Sequence, residues 1–241
     1  MKQNTSTFRL GLLCALALLG SAPALAQTDS YPNKPITIVV AYPPGGSTDL
    51  TGRTLGVELS KLLGVPVVIQ NIGGAGGAIG AQKVVNAEPD GYTLLAGVNN
   101  EIAISRLVSS AVKYQIKDFT PIGLIASQPM VLVAAKNSGI KNIDQFISQV
   151  KSNPGKYSYG SSGVGTALHL AGEMVKDQGG LFMTHIPYRG VAPLANDLLG
   201  NNIELGVFVL SSGLPHIKRG RVVAIGTTEA TRSAVTAVIP A

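Results

Sequence analysis

Cysteine is nearly missing from this 241-residue chain: the one present, Cys14, lies in an N-terminal apolar run, and none follows it. A chain that reaches an oxidising compartment without cysteines folds without disulfides, which excludes the small stapled secreted scaffolds. Past residue 26 there is no apolar run of the about 20 residues needed to span a bilayer. No basic cluster is interleaved with aromatic rings of the kind that stack on bases, so nucleic acid is not an expected partner. The densest basic stretch, Lys218-Arg219-Gly220-Arg221, reads most simply as cations at a helix C-terminus. Metal-ligand spacing is lacking too. His169, His185 and His216 share no short paired spacing, and Glu173, one turn after His169, makes a single pair, so neither metal nor cofactor is expected.

What is present begins with an export signal. Lys2 and Arg9 form a positive end, Leu10–Gly20 an apolar core and Ala24-Leu25-Ala26 a small-residue cleavage site, placing cleavage before Gln27. Leu13 ahead of Cys14 argues against a lipid anchor, and a bacterial periplasm suits the soluble, cysteine-free product. Removing Lys2 and Arg9 lowers the net charge from +6 to +4, a mild bias. The remaining stretch is long enough to bury a substantial core, as one large domain or two small ones.

Strands and helices then alternate, which predicts an α/β fold built from β-loop-α units. Ile36–Ala41 is a continuous apolar strand of the kind buried on both faces. Leu55, Leu59, Leu62 and Leu63 recur at helical spacing before a Gly64/Pro66 stop. Further strands are expected at Val65–Gln70, Tyr92–Ala96, Met130–Ala135, Tyr157–Tyr159, Met183–Pro187, Ile203–Leu210 and Val222–Thr227. Helices are expected at Ala78–Ala87, Ile143–Val150, Gly165–Lys176, Pro193–Leu199 and Leu214–Arg219. Two lobes, with crossings near Ser127–Val131 and Ile203–Leu210, fit this order better than one sheet.

Three strand-to-helix loops are rich in glycine and small polar residues: Pro43-Pro44-Gly45-Gly46-Ser47-Thr48-Asp49, Asn71 through Ala78, and Gly160 through Thr166. Backbone N–H groups beside helix starts make anion sites, and glycines let backbone approach a ligand. In the first loop Ser47 or Thr48 can cap the helix; the plainer alternative is a tight turn with Asp49 offsetting the helix dipole. In the second, a dinucleotide fingerprint begun at Gly74 finds Gly76 but then Ile79 where glycine is required, and a P-loop fails because no lysine appears before Lys83. What is left is an anion nest or close packing of helix on strand. In the third, a nucleophile elbow fails for Ser162, which has Val164 where glycine is required, and for Ser161, which follows Tyr159. A Ser162/His185/Asp197 triad has no support in spacing. His169 could hydrogen-bond back to its loop or be merely structural; Tyr188 and Arg189 could line a pocket and pair with a carboxylate, or be a core tyrosine and a surface arginine.

Eight segments in order resemble the substrate-binding proteins of tripartite tricarboxylate transporters, the Bug-type extracytoplasmic solute receptors. They are Tyr31-Pro32-Asn33-Lys34-Pro35-Ile36, Pro43 through Asp49, Asn71 through Gly77, Pro89-Asp90-Gly91-Tyr92-Thr93-Leu94-Leu95, Asp118-Phe119-Thr120-Pro121-Ile122, Tyr159 through His169, Pro187-Tyr188-Arg189-Gly190 and Leu214-Pro215-His216-Ile217. The resemblance implies a two-lobed periplasmic-binding-protein fold, type II-like, with parallel or mixed sheets flanked by helices and a ligand cleft between the lobes. Residues 27–127 would form the first lobe, 128–221 the second, and 222–241 would return to the first. It implies no enzyme but a monomeric receptor that grips a small carboxylate by backbone N–H groups from both lobes and presents its closed form to integral-membrane transporter subunits or to a membrane sensor. The residues carried over are Pro44, Gly45, Gly46, Ser47, Asp49, Asn71, Gly74, Ala75, Gly76, Gly77 and Asn99 from the first lobe. From the second come Ser161, Ser162, Gly163, Gly165, Thr166, His169, Tyr188, Arg189, Gly190, Ala192 and Phe208. The rival of another class is an exported α/β hydrolase using Ser162 or Ser161.

Two departures stand out. Where many relatives carry an acid or amide just after the strand matching Ile203–Val207, this chain has Phe208-Val209, which implies an apolar wall and a non-amino carboxylate ligand. Past Arg232 the sequence Ser233–Ala241 is unlike the family's continuation, which implies a shortened copy with the first lobe's core less covered.

Overall fold

The computed structural model describes residues 30–231 and Ile239. The expectations for the export segment and for residues 233–238, 240 and 241 lie outside the described residues. The chain divides into two units, Met1–Asn33 and Lys34–Ala241; the first is described only from Ser30, and the fold that follows is that of the second.

Its first lobe is a three-stranded parallel sheet, ordered β2-β1-β3, from β1 (Ile36–Val40), β2 (Val67–Asn71) and β3 (Thr93–Ala96). Ile38 lies opposite both Ile69 and Leu94, so the uninterrupted apolar run of β1 is the centre of the sheet. Helix α1 (Ser47–Leu63) follows β1 and ends where Gly64 turns left-handed (φ 69°) and its N–H returns to Ser60 O. Helix α2 (Ala78–Val85) follows β2. Gly80 is required there, because a Cβ would stand 2.7 Å from Ile72 O and 2.8 Å from Ala41 Cα; close packing of helix on strand is thus one true function of the second glycine loop. After β3 come a single π-helical turn, Asn100–Ile104, the short helix α3 (Ser105–Val108) and a 3₁₀ turn, Ile116–Asp118, none of which the sequence periodicity announces.

The second lobe holds a five-stranded mixed sheet, ordered β6-β5-β7-β4-β8. Its strands are β4 (Met130–Ala135), β5 (Ser158–Ser161), β6 (Thr184–Pro187), β7 (Leu205–Val209) and β8 (Val222–Thr227). Strands β5, β6 and β7 are parallel, whereas β4 runs antiparallel to β7 and β8. Helices α4 (Ile143–Ser152), α5 (Ala167–Gly179), α6 (Val191–Leu199) and α7 (Leu210–Lys218) cover it. One apolar cluster gathers Phe146, Tyr159, Met183 and Leu205, another Val133, Leu194, Leu198 and Phe208.

The strand β8 corrects an expectation. Residues 222–227 do not return to the first lobe: Val222 pairs with Ala135 and Thr227 with Val131. Ile225 fills one second-lobe cluster, while Val222 and Ile239 fill the other. Burial of those side chains decides the strand's place. Helix α6 also starts two residues before Pro193, since a proline in the first turn lacks only an N–H that the helix does not use there.

Candidate functional site

The three glycine loops lie at the carboxyl ends of β1, β2 and β5, each leading into a helix. Helix α1 begins at Ser47 with Gly46 as its N-cap and no side-chain cap, so neither Ser47 nor Thr48 plays the expected capping part. Asp49 turns back instead. Its Oδ2 accepts the Gly45 N–H at 2.9 Å and Arg53 Nε at 3.0 Å, and its Oδ1 accepts Asn71 Nδ2 at 2.8 Å. Asn71 also donates to Tyr42 O at 3.0 Å. Burial alone would raise the Asp49 carboxyl, but Arg53, the Gly45 N–H and Asn71 outweigh it and hold the group below its usual range. Asp49 and Asn71 therefore lock the first two loops to each other.

From the second lobe, Thr166 caps α5, its Oγ1 accepting the His169 N–H at 3.3 Å and donating to Gly163 O at 2.8 Å. His169 does bond back to its loop: Nδ1 accepts the Gly165 N–H at 3.0 Å. Ser161 Oγ accepts the Gly163 N–H at 3.2 Å and lies 2.7 Å from His185 Nε2, whose ring stacks on His169 at 4.0 Å. Burial, the charge of His169 and that of Lys176 push the His185 pKa down to about 4, with Glu173 acting the other way. Tyr188 donates to Asp197 Oδ2 at 2.8 Å, and burial with that carboxylate pushes its phenol up to about 12.

These pairings dismantle the hydrolase constellation. Asp197 is engaged by Tyr188 and Asn202, not by His185, and His185 meets Ser161, not Ser162. Ser161 is fully buried with its hydroxyl enclosed by Gly163, so it offers no nucleophile to a substrate.

The loops of the two lobes face each other at contact distance. A Cβ at Gly76 would lie 3.4 Å from Thr166 Cγ2 and 3.5 Å from Val164 O, and one at Gly45 would lie 3.7 Å from Ala192 Cβ. One at Gly190 would stand 2.9 Å from Pro43 Cδ. Pro44, Gly74, Ala75, Gly77, Ser162 and Gly165 belong to the same loops. A hydrogen-bond chain crosses between the lobes: Asn100 Oδ1 accepts the Ala167 N–H at 2.7 Å, Asn100 Nδ2 donates to Tyr42 Oη at 2.7 Å, and Tyr42 donates to Gly76 O at 3.1 Å. The bridging side chain is thus the buried Asn100, while the expected Asn99 is exposed and stands at the start of the π turn without a side-chain cap. Sequence reasoning missed Tyr42, Asn100 and His185 as members of this assembly; the paired Asn99-Asn100 gave the position to within one residue, and no pattern pointed to Tyr42. Arg189 is exposed beside the cleft. Phe208, expected as an apolar wall, sits in the second lobe's core with Leu194 and Val131, 1% exposed.

Two α/β lobes with parallel or mixed sheets and loops meeting between them define a two-lobed periplasmic-binding-protein fold. Residues 52–241 match the model of the family described as the tripartite tricarboxylate transporter family receptor, TctC, and the chain belongs to that family. A protein of the tcbD-tcbE intergenic region of Pseudomonas sp. strain P51 is 35% identical over 219 residues, 90% of this chain and 65% of that one. BugT of Bordetella pertussis is 34% identical over 93% of this chain and 68% of its own length. Rpa4515 of R. palustris, solved with adipate, superposes with a TM-score of 0.84 at 31% identity, covering 87% of this chain and 71% of that chain. MatC of Rhodopseudomonas palustris, with bound malate, gives 0.81 at 27% identity, covering 87% and 72%. The chain spans about two thirds of the length of the curated relatives it matches. Membership of a receptor family bears out the non-enzymatic reading.

Proposed function

We propose that this chain is a periplasmic receptor that captures a small carboxylate by closing its two lobes on it, and delivers it to the membrane subunits of a tripartite tricarboxylate-type transporter. The observation that carries the reading is the meeting of the glycine loops across the lobes, with Gly76 against Thr166 and Gly45 against Ala192. Helix α1 opens without a side-chain cap, and α2 likewise, so their first N–H groups and the Gly-rich backbone ahead of them can be turned to an anion. Each such helix start contributes about 0.3–1 kcal/mol, so several must converge for useful affinity. With the loops in contact, His169 and Asn100 accept the N–H groups of Gly165 and Ala167. A ligand carboxylate would compete with these acceptors or join them. The carboxylates bound by the two similar R. palustris proteins support the ligand class. A ligand that touches both lobes favours the closed state, which is the form a membrane partner would read.

A thermal-shift screen of mono-, di- and tricarboxylates, aromatic acids, amino acids and neutral amides against the exported protein tests the proposal. A carboxylate at a hundred times its Kd adds about 2.7 kcal/mol, a rise of several degrees in Tm. No shift with any carboxylate, or equal shifts with the neutral amides, would overturn it.

A further inference from the structure

Glu101 stands out among the buried groups of the first lobe. It is 0% exposed, sits in the π turn that also presents Asn100, and pairs with no cation among the described residues. Its Oε2 accepts the Val98 N–H at 3.1 Å, while Oε1 has no hydrogen-bond partner among the described residues. The carboxyl lies directly behind the second glycine loop: a Cβ on Gly77, which holds φ 99°, would collide with Glu101 Oε1, Cγ and Cδ. Tyr42 Oη reaches the Glu101 carboxyl and lowers its pKa, but its single proton is also claimed by Gly76 O at 3.1 Å, while Asn100 Nδ2 donates to it at 2.7 Å. The titratable groups facing Glu101 are Tyr42, from the loop after β1, and Tyr114, from the segment before the 3₁₀ turn; the Glu101 charge raises both phenols further.

Resting on the carboxylate reading above, we propose that ligand capture is coupled to protonation of Glu101, so that the receptor takes up a proton as it closes on its anion. A carboxylate brought to the N–H groups of the Gly74–Ala78 loop approaches a second carboxyl, itself fully buried, across a single layer of backbone. Two unpaired like charges at that separation cannot both persist, and the buried one, lacking a counterion, takes the proton. Protonation also removes the charge that burial without a counterion penalises. The unliganded group already titrates near neutrality: burial pushes it up to about 7, against the lowering by its own amide, the Val98 N–H and Tyr42. By reciprocity, whatever the anion does to Glu101's proton affinity, the proton does to the anion's affinity. Capture is then strongest in mildly acidic surroundings and weakens as the medium turns alkaline.

Titration calorimetry of the whole exported protein with the carboxylate panel, including malate and adipate, decides the matter when run in two buffers of different ionisation enthalpy at about pH 6, 7 and 8. The expected result is proton uptake rising toward about one per ligand at the alkaline end, with Kd weakening up to about tenfold per pH unit there. Glu101→Gln should bind with the same affinity across that range and show no buffer dependence. Carboxylate binding without proton uptake, or uptake unchanged in the Gln variant, overturns the coupling and leaves the receptor reading standing. No heat from any carboxylate at any pH overturns both. Should the Gln variant fail to fold, carbon NMR of the Glu101 carboxyl in the unsubstituted protein decides the same question: its midpoint rises on adding the carboxylate, or the proposal fails.

Discussion

The two lobes are held together in different ways. Among the twelve largest fully buried side chains, only Ile36 and Ile38 belong to the first lobe; the others, from Tyr159 and Phe146 to Ile225 and Ile239, fill the second. Strand β2 is half-buried or exposed along its length, and Leu50, Val57 and Leu62 of α1 are exposed. Both lobes bury polar side chains, Ser161, Ser162 and Thr166 in the second, but the buried carboxyls, Asp49 and Glu101, belong to the first, with Asn100 and Ser105. Beside a smaller apolar cluster around Ile38, Val40 and Ala96, the first lobe carries a polar lock, Asp49 with Gly45, Arg53 and Asn71. Apolar packing is non-directional and tolerant, whereas a polar lock depends on each partner. The first lobe is therefore expected to be the more sensitive of the two to the loss of a single polar partner.

The largest contrast should come from core truncation. Phe146→Ala should cost about 3–5 kcal/mol in denaturant unfolding, and the half-buried Ile69→Ala clearly less. Equal costs would erase the distinction between the lobes. Next, Asp49→Ala should lose about 1–3 kcal/mol at neutral pH, because it leaves the Gly45 N–H and Asn71 without their acceptor. Since the folded carboxyl is held below its ordinary value, this contribution is present at neutral pH and is lost as pH falls through the folded pKa. The loss should be absent in acid melts.

The lobes should also differ in which end of the pH scale loosens them, read by amide exchange. His185, depressed to about 4, contributes stability present above its unfolded value near 6.5 and lost as pH falls, so acid should loosen β5, β6 and the loop before α5. Glu101, raised to about 7, contributes in the opposite sense: stability present below its unfolded value near 4.5 is lost as pH rises toward 7, so alkali should loosen the π turn. Glu101→Gln should raise Tm at about pH 8 and change little at about pH 4. The smallest effect concerns caps. Asn142, whose Oδ1 accepts the Gln145 N–H at 2.9 Å, caps α4, and Asn142→Ala should cost about 1 kcal/mol. Gly46→Ser, at an extended position with no atom within 4 Å of a new Cβ, should add at most a few tenths of a kcal/mol.

Much of the fold is legible in the sequence because apolar runs and glycine stops are local signals. Strand β1, helix α1 with its Gly64 stop, and β8 as an element all stand where the sequence places them, and so does the bond from His169 to its own loop. The sheet that β8 joins is not legible, since strand pairing depends on which distant partner buries Val222 and Ile225. Nor are the uses of Asn100 over Asn99 or of Ser161 over Ser162, because a one-residue shift in a turn reverses which side chain faces inward.

By itself, the sequence determined the α/β alternation, the three glycine loops at strand ends and the failure of the nucleotide and nucleophile-elbow spacings, since local pattern decides these. Only the tertiary structure decided that Asp49 and Asn71 spend their polar groups on each other, that Phe208 lies in the core, and that Glu101 is sealed behind Gly77 without a partner for Oε1. Those outcomes depend on which surfaces exclude water from one another, and chain order does not encode that locally.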